Sequence, residues 1–433
     1  MKSLHITNAW HPASGGIGTF YRALMAAAGE HRHYLRMVVP SGESCVEDVT
    51  PYVRIYHLKA PLAPLNRSYR WLLPHRYLLP GSEIRRILQS ERPDVVEICD
   101  KYTLQYLAGL IRRNWFFPDN HRPTLIGLSC ERMVDNLLVY LPRFPLAEGF
   151  CRLYMKWLYF PLFDHHITVS QFTAAELREA SRGHMVPRGV WVRGMGVDIE
   201  GFGAARRDPL LRRRLLARAG GGVRAYLLLY AGRLAPEKNL PLLVGMMERL
   251  ALSPDFDFRL VIAGEGMLRK QLERAAAVSC PGRVAFIGHI GNRDELAAIY
   301  ASADAFVHPN PAEPFGIAPL EALASGLPLI ACNRGGLMSY ASPANAWLAD
   351  PDPRSFAAAA LDLARSPAVA ESRVEAGLET ARRYDWPAIA SEYLMLYREI
   401  HDWHSGVKLN PRIRPDFLST SGNWLGQEMR GSA

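Results

Sequence analysis

No stretch of this chain is apolar for long enough to cross a bilayer. A span needs roughly 20 consecutive apolar residues, and no uninterrupted run approaches that. The N-terminal MKSLHITNAWHP lacks the apolar core of a signal peptide, so no leader is expected. Cysteine is sparse: Cys45, Cys99, Cys130, Cys151, Cys280 and Cys332 are scattered, with no pair at C-x-x-C spacing. That excludes a thiolate metal cluster and a disulfide scaffold and fits a reducing compartment. The expected location is cytoplasmic, either free or peripheral on the inner face of a membrane. Acidic residues are also in deficit, 42 against 51 Lys+Arg, for a net charge of +9. The excess is uneven: residues 201–300 carry 16 Lys+Arg against 9 Asp+Glu (+7), and residues 301–400 carry 7 against 12 (−5). A local excess of this kind suits an anionic ligand or surface, or reflects an Arg-rich proteome. No nucleic-acid partner is expected.

What the chain does have is a long informative string at 304–336, DAFVHPNPAEPFGIAPLEALASGLPLIACNRGG. Residues 305–307 read as a short buried strand, and Pro309, Pro311 and Pro314 then force a loop. From Ala318 the pattern turns helical, with Pro319 suited to a first turn. Glu313 therefore sits in the loop and Glu321 in the first turns of the helix. Between them the N–H groups near Gly316, Ile317 and Ala318 leave a helix N-terminus, which attracts phosphate. Two carboxylates flanking an anion site suit a nucleotide-sugar, with one for the ribose diol and one for sugar hydroxyls. Two solvated glutamates are the plain alternative.

The string E-P-F-G-I-A-P-L-E, residues 313–321, resembles the E-x7-E signature of the retaining glycosyltransferases of family 4, whose fold is GT-B. The likeness runs through residues 3–401. G-R-L-A-P-E-K-N at 232–239 is similar to the family's phosphate-binding string, and M-G-V-D at 195–198 to the turn that ends its first domain. The resemblance implies an α/β protein of two Rossmann-like doubly wound domains facing a central cleft. Arg233, Lys238 and Glu313 are then the catalytic candidates. Gly16, Arg233, Lys238, Glu313, Phe315, Gly316, Ile317 and Glu321 would bind the donor. His289 and Ile290, after the V-A-F-I-G strand, would face the base.

Taken in order, the first 200 residues alternate strands with helices, which means a parallel sheet with its ligand at the carboxyl ends of the strands. His11 reads as a loop residue, and Gly15-Gly16-Ile17-Gly18 as a turn opening a helix that ends near Gly29. Cys130-Glu131-Arg132 follows the 124–128 strand; Cys130 and Glu131 are candidates for sugar or acceptor contacts. Cys130 stands near the point where many relatives carry a histidine and reads as a small packing residue, with a thiol activated by Arg132 as the alternative; an Arg132 salt bridge is the alternative role for Glu131. The basic, aromatic segment 67–76 and the run FCRLYMKWLYFPLF at 150–163 are each compatible with a membrane surface. For the second, a helix buried against the sheet is the alternative. Domain one is expected over 1–203, with a terminal helix near 386–404 packing back on it. Residues 204–223 read as a linker into domain two, 204–385. The tail 405–433 is polar and expected to be disordered.

The expected reaction moves a hexosyl unit from a nucleoside-diphosphate sugar, of GDP-mannose or UDP-glucose type, to a glycan or lipid-linked acceptor hydroxyl. Configuration is retained and no metal or cofactor is used, Arg233, Lys238 and helix dipoles standing in for a divalent ion. A nucleotide-sugar epimerase and a non-catalytic partner subunit are the two alternatives.

Overall fold

The computed structural model describes residues 1–11, 15–63, 69–117, 119, 121–140, 146–184 and 189–406. It divides into two compact units. The first holds Met1–Val134, Phe144–Gly194 and the chain from Pro387; the second holds Asp135–Arg143 and Met195–Trp386. The tail expected to be disordered lies outside the described residues from 407 onward.

The first unit is built on eight strands: β1 (Lys2–Thr7), β2 (Tyr34–Ser41), β3 (Cys45–Thr50), β4 (Val53–Lys59), β5 (Val95–Cys99), β6 (Thr124–Ser129), β7 (His165–Thr168) and β8 (Gly189–Val192). Their order is β3-β4-β2-β1-β5-β6-β7-β8. All neighbours pair in parallel except β3 with β4. The chain winds outward from β1 to one edge, then returns to β5 and winds to the other. The switch point, where such sheets bind ligands, is between β1 and β5. The helix Gly15–Ala28 follows β1 directly.

Successive strand residues point to opposite faces, and in β1 they divide sharply. Leu4 and Ile6 face an apolar layer, whereas Ser3, His5 and Thr7 are polar and fully buried. His5 pairs in register with Glu97 of β5. The Glu97 carboxylate, wholly buried, accepts from His5 Nδ1 (3.0 Å), from the Tyr21 hydroxyl (2.8 Å) and from the Tyr397 hydroxyl. Ser3 links His5 to His33, at 2.8 and 2.7 Å. Burial, reinforced by the nearby His5, pushes the His33 imidazole down to about 3. Tyr397 belongs to the last helix, Trp386–His404, which also donates from Tyr393 to the Arg193 carbonyl (2.7 Å) and pairs His401 with Thr124 (3.0 Å).

The second unit carries β9 (Tyr226–Ala231), β10 (Phe258–Ala263), β11 (Val284–Gly288), β12 (Ala305–His308), β13 (Leu329–Cys332) and β14 (Trp347–Ala349), in the order β11-β10-β9-β12-β13-β14 and parallel throughout. Helices cover both faces, so strands such as β9, YLLLYA, are nearly continuously apolar. The stretch read as a linker, 204–223, contains the helix Pro209–Arg218. Asp208 caps its first turn and Pro209 fills the first position. Its Arg212 reaches Asp304 at 2.6 Å and anchors the helix to the second unit.

At the carboxyl ends of β9, β10 and β11 backbone meets backbone. Gly232 N–H donates to the Ala263 carbonyl (3.0 Å), Gly264 N–H to that of Gly288 (2.7 Å) and Leu234 N–H to that of Glu265 (2.9 Å). A Cβ on Gly264 would run into the Gly232 carbonyl oxygen, and one on Gly266 into that of Leu234. These glycines let the strand ends converge beneath the Arg233 loop. Gly264→Ala should therefore cost about 1–3 kcal/mol by overpacking, read as a lower midpoint in thermal unfolding. Ala219→Gly, at a helix end away from the strand termini, should cost less.

Candidate functional site

The β9/β12 boundary is the switch point of the second sheet, since the chain leaves β9 toward β10 on one side and returns to β12 on the other. Two loops leave the sheet there. The first, 232–239, runs from Gly232 through a short 3-10 turn, Pro236–Lys238, to Asn239, whose left-handed backbone (φ 52°) turns the chain into the next helix. The second, 309–316, follows β12. Asn239 ties the two together by donating from Nδ2 to the Pro309 carbonyl at 3.0 Å.

Glu313 is the centre of the second loop and is buried. Its Oε2 accepts from Lys238 Nζ at 2.8 Å and from Asn310 Nδ2 at 2.9 Å. His308 Nε2 stands 3.2 Å from the same oxygen, close enough for electrostatic attraction but without the alignment of a hydrogen bond. Burial alone would raise this carboxyl. The Lys238 ammonium and the His308 ring outweigh it and hold Glu313 well below the usual carboxylate range. The loop is buttressed from behind: Gly336 N–H donates to the Glu313 carbonyl (2.6 Å), and a Cβ on Gly335 would lie 2.9 Å from the Pro311 carbonyl oxygen.

Gly316, at φ 91°, caps the helix Ile317–Ala324. The left-handed geometry favours glycine, and a side chain there would also crowd the Tyr340 hydroxyl, which donates to the Gly316 carbonyl. Phe315 is buried between the rings of Tyr340 and Tyr384, with centroids 5.2 and 5.8 Å away. Ile317 and Ala318 head the helix half-exposed. One turn on, Glu321 accepts from the Tyr300 hydroxyl at 3.3 Å. Burial pushes Glu321 up to about 7, against the pull of Arg293 and of that hydrogen bond.

The structure thus brings Lys238, Glu313, Phe315, Gly316, Ile317 and Glu321 onto two adjoining loops and one helix start. Arg233 stands on the same loop as Lys238, but its guanidinium is exposed and bonded to Glu237 at 3.0 Å. His289 is exposed and Ile290 half-exposed just after β11. Gly16, Cys130 and Glu131 belong to the first unit. Gly16 lies in the first turn of the helix after β1. Cys130 and Glu131 follow β6, where Glu131 accepts from the Tyr102 hydroxyl at 3.2 Å. The Cys130 thiol is pushed up, first by its hydrogen bond with Cys99 and then by burial, so it is not an activated thiolate. The Arg132 guanidinium lies over the Phe172 ring, 4.5 Å from its centroid.

The chain has Asp-x-Asp strings at 255–257 and 350–352, and both serve local structure. Asp257 pairs with Arg259 and Arg283, and Asp255 with Arg365. Asp350 accepts from Asn333 and Arg334, and Asp352 caps the helix Pro353–Arg365. Among the described residues no group of three or more His, Cys, Asp or Glu is placed to hold a metal ion.

Residues 14–192 match the family model for Glycosyltransferase Family 4, and residues 220–380 that for Glycosyl transferases group 1. A GDP-mannose-dependent alpha-mannosyltransferase of Mycobacterium tuberculosis is 30% identical over 315 residues, 70% of this chain and 71% of its own. The chain belongs to glycosyltransferase family 4. Another relative in this family, the GDP-mannose-dependent alpha-(1-6)-phosphatidylinositol dimannoside mannosyltransferase of M. tuberculosis, is 28% identical over 91% of this chain and 95% of its own. Among solved structures, sucrose-phosphate synthase from Thermosynechococcus elongatus superposes with a TM-score of 0.69 at 20% identity. It covers 92% of this chain and 99% of its own and shows the shared GT-B fold. As a family 4 member the protein is a transferase that uses nucleotide-sugars.

Sequence reasoning missed the groups that set the state of the two glutamates. His308 and Asn310 stand inside the string that was read, at strand end and loop start, yet only the fold turns both toward Glu313. Tyr300 and Arg293 come from a different helix. Lys238→Met should leave Glu313 buried without its cation and destabilise the protein on the order of 3 kcal/mol at pH 7. A carboxyl depressed in the folded state contributes stability above its unfolded value that is lost as the pH falls through the folded one. The gap between wild type and Lys238→Met in urea unfolding should therefore close in acid, below about 4.5.

Proposed function

We propose that the protein transfers a hexosyl unit from a nucleoside-diphosphate sugar to an acceptor hydroxyl with retention of configuration, without a divalent ion. The observation that carries this reading is the Lys238–Glu313 pair at the strand switch point, one loop from the N-terminus of the helix Ile317–Ala324. A diphosphate gains negative charge as the sugar leaves, and a preorganised ammonium beside a helix N-terminus stabilises that charge. Arg233 would join it on exchanging Glu237 for the phosphate. Glu313, held ionised, accepts from sugar hydroxyls, and Glu321 from the ribose diol. Phe315, Gly316 and Ile317 frame the donor, Gly16 approaches its phosphates, and His289 and Ile290 flank the base.

In the reaction the bond from the anomeric carbon to the phosphate oxygen breaks as the acceptor oxygen bonds on the same face. The acceptor proton passes to the departing phosphate. The names of the two mycobacterial relatives favour GDP-mannose over UDP-glucose as donor, and one of them names a phosphatidylinositol glycoside as acceptor. They support a lipid-linked acceptor, and with it the proposed place of work is the cytoplasmic face of a membrane.

Incubation with a panel of nucleotide-sugars, without acceptor, separates the readings. Slow hydrolysis of one donor is expected. A new free or nucleotide-linked sugar would mark an epimerase, and no binding in thermal shift a non-catalytic subunit. Activity should persist in EDTA, while Arg233→Ala and Lys238→Ala each lower turnover roughly a hundredfold. Complete loss in EDTA, restored by Mg²⁺ or Mn²⁺, would overturn metal independence.

Glu321 supplies a pH signature. It is raised to about 7 in the free protein, and only its carboxylate accepts from both ribose hydroxyls. Nucleoside-diphosphate affinity should therefore weaken about tenfold per pH unit below about 7 and level off above it. The ligand's own phosphate also titrates, so the control is Glu321→Gln. That variant should bind more weakly at pH 8 and lose the share of the pH slope that belongs to the carboxylate. Equal slopes in titration calorimetry would exclude the diol contact.

A further inference from the structure

The helix Ala147–Tyr154, continued by the π-turn Met155–Tyr159, carries apolar side chains on two sides and three charged ones, Glu148, Arg152 and Lys156. Its inner face is core: Cys151, Tyr154, Met155 and Tyr159 are buried. The expectation of a helix packed against the fold holds for that face only. Leu146, Phe150, Leu153 and Trp157 recur at spacings of four, three and four, which places them on one side of a helix. All four are 49% to 71% exposed. The wider π-turn sets Leu158, 49% exposed, beside Trp157. Scattered exposed leucines need no explanation, but a contiguous apolar stripe does.

The other candidate segment, 67–76, offers less. Residues 64–68 lie outside the described residues. Of the rest, Leu72 is buried, Arg70 donates to the Ala60 carbonyl at 2.6 Å and Arg76 pairs with Glu83 at 2.9 Å.

We propose that the stripe Leu146, Phe150, Leu153, Trp157 and Leu158 docks on an anionic lipid bilayer. The inference rests on the proposed lipid-linked acceptor and names the surface that meets the lipid. Charge complementarity favours this occupant. On this helix and the neighbouring Gln171–Ser181 with its cap stand Arg152, Lys156, Arg178 and Arg182 against Glu148, Glu176 and Glu179, four cations to three anions, and of the anions Glu176 is buried and already paired with Lys101 at 2.9 Å. Arg152 reaches Glu148 and Glu179, at 3.1 and 2.8 Å, and Lys156 Nζ lies 5.4 Å from the Trp157 ring centroid. Apolar side chains with a tryptophan, flanked by basic residues, suit an interface of acyl chains and anionic headgroups. A second copy is disfavoured by the same charges, because a two-fold contact would set the basic face against itself. The surface also adjoins the proposed acceptor side: Glu148, Cys151, Arg152 and Met155 line one small cavity with Arg132, beside Glu131.

The test is co-sedimentation of the full chain with phosphatidylcholine vesicles, with and without phosphatidylglycerol, at low and high salt. Wild type should pellet with the anionic vesicles, less so at high salt. Leu153→Ser combined with Trp157→Ser should lower the partition coefficient about tenfold or more, and Lys156→Glu should weaken binding to the anionic vesicles alone. Leu153 and Trp157 are exposed and Lys156 half-buried, and unchanged circular dichroism and nucleotide-induced thermal shift serve as folding controls. Equal partition of wild type and the double variant would overturn this face while leaving a lipid-linked acceptor standing. No partition by wild type, with transfer to a water-soluble acceptor intact, would overturn both the face and the lipid-linked acceptor but spare the transferase reading. A vesicle-free shift from dimer to monomer in the double variant, by sedimentation velocity, would assign the stripe to a second copy instead.

Discussion

A carboxylate removed from water must be balanced where it stands. In the second unit that requirement falls on Glu313, and much of the loop architecture answers it. Lys238 supplies the charge, Asn310 a hydrogen bond and His308 a close third group. Lys238 can reach only because the glycine strand ends let the first loop settle low over the sheet, and because Asn239 pins that loop to Pro309. Gly335 and Gly336 close the far side of the same loop. The ion pair is thus assembled from several separate pieces of chain.

The two glutamates of one nine-residue string end in opposite states. Glu313 is in the loop, beside a cation, and stays ionised well into acid. Glu321 is a helical turn beyond Gly316 and has a phenol for its nearest partner, so burial dominates and its carboxyl titrates near neutrality. Environment, not residue type, separates the roles available to them. An empty site therefore holds one fixed negative charge and one that a ligand can draw out.

Much of this was legible in the sequence because it depends on local rules. Prolines, glycines and apolar runs mark the loop, the cap and the buried strands of 304–336, and the alternation of strands and helices implied parallel sheets. What escaped depends on partners far along the chain. Strand β3 is exposed at every position and has no buried face to leave a pattern. The helix Pro209–Arg218 is hidden by its arginines, one of which is neutralised by Asp304 ninety-two positions on. In the run at 150–163 large apolar residues lie on the inner and the outer face alike, so the pattern alone does not tell which of them is buried. Strand β1 reads as buried from its sequence and is so, but the partners that satisfy its polar residues, Glu97 and Tyr397 among them, come from elsewhere in the chain.

That last contact governs the order of assembly. Glu97 lies in the middle of the first sheet, and one of its three donors is Tyr397, some three hundred residues later. Until that tyrosine arrives, the carboxylate lacks one donor and the apolar side chains Tyr393, Tyr397 and Ile400 have not covered the unit. Domains fold as units as the chain emerges from the ribosome. Here the half of the protein that is synthesised first is completed last, after the second unit has been made, and a chain stopped before 397 would leave the second unit complete and the first with its polar centre open.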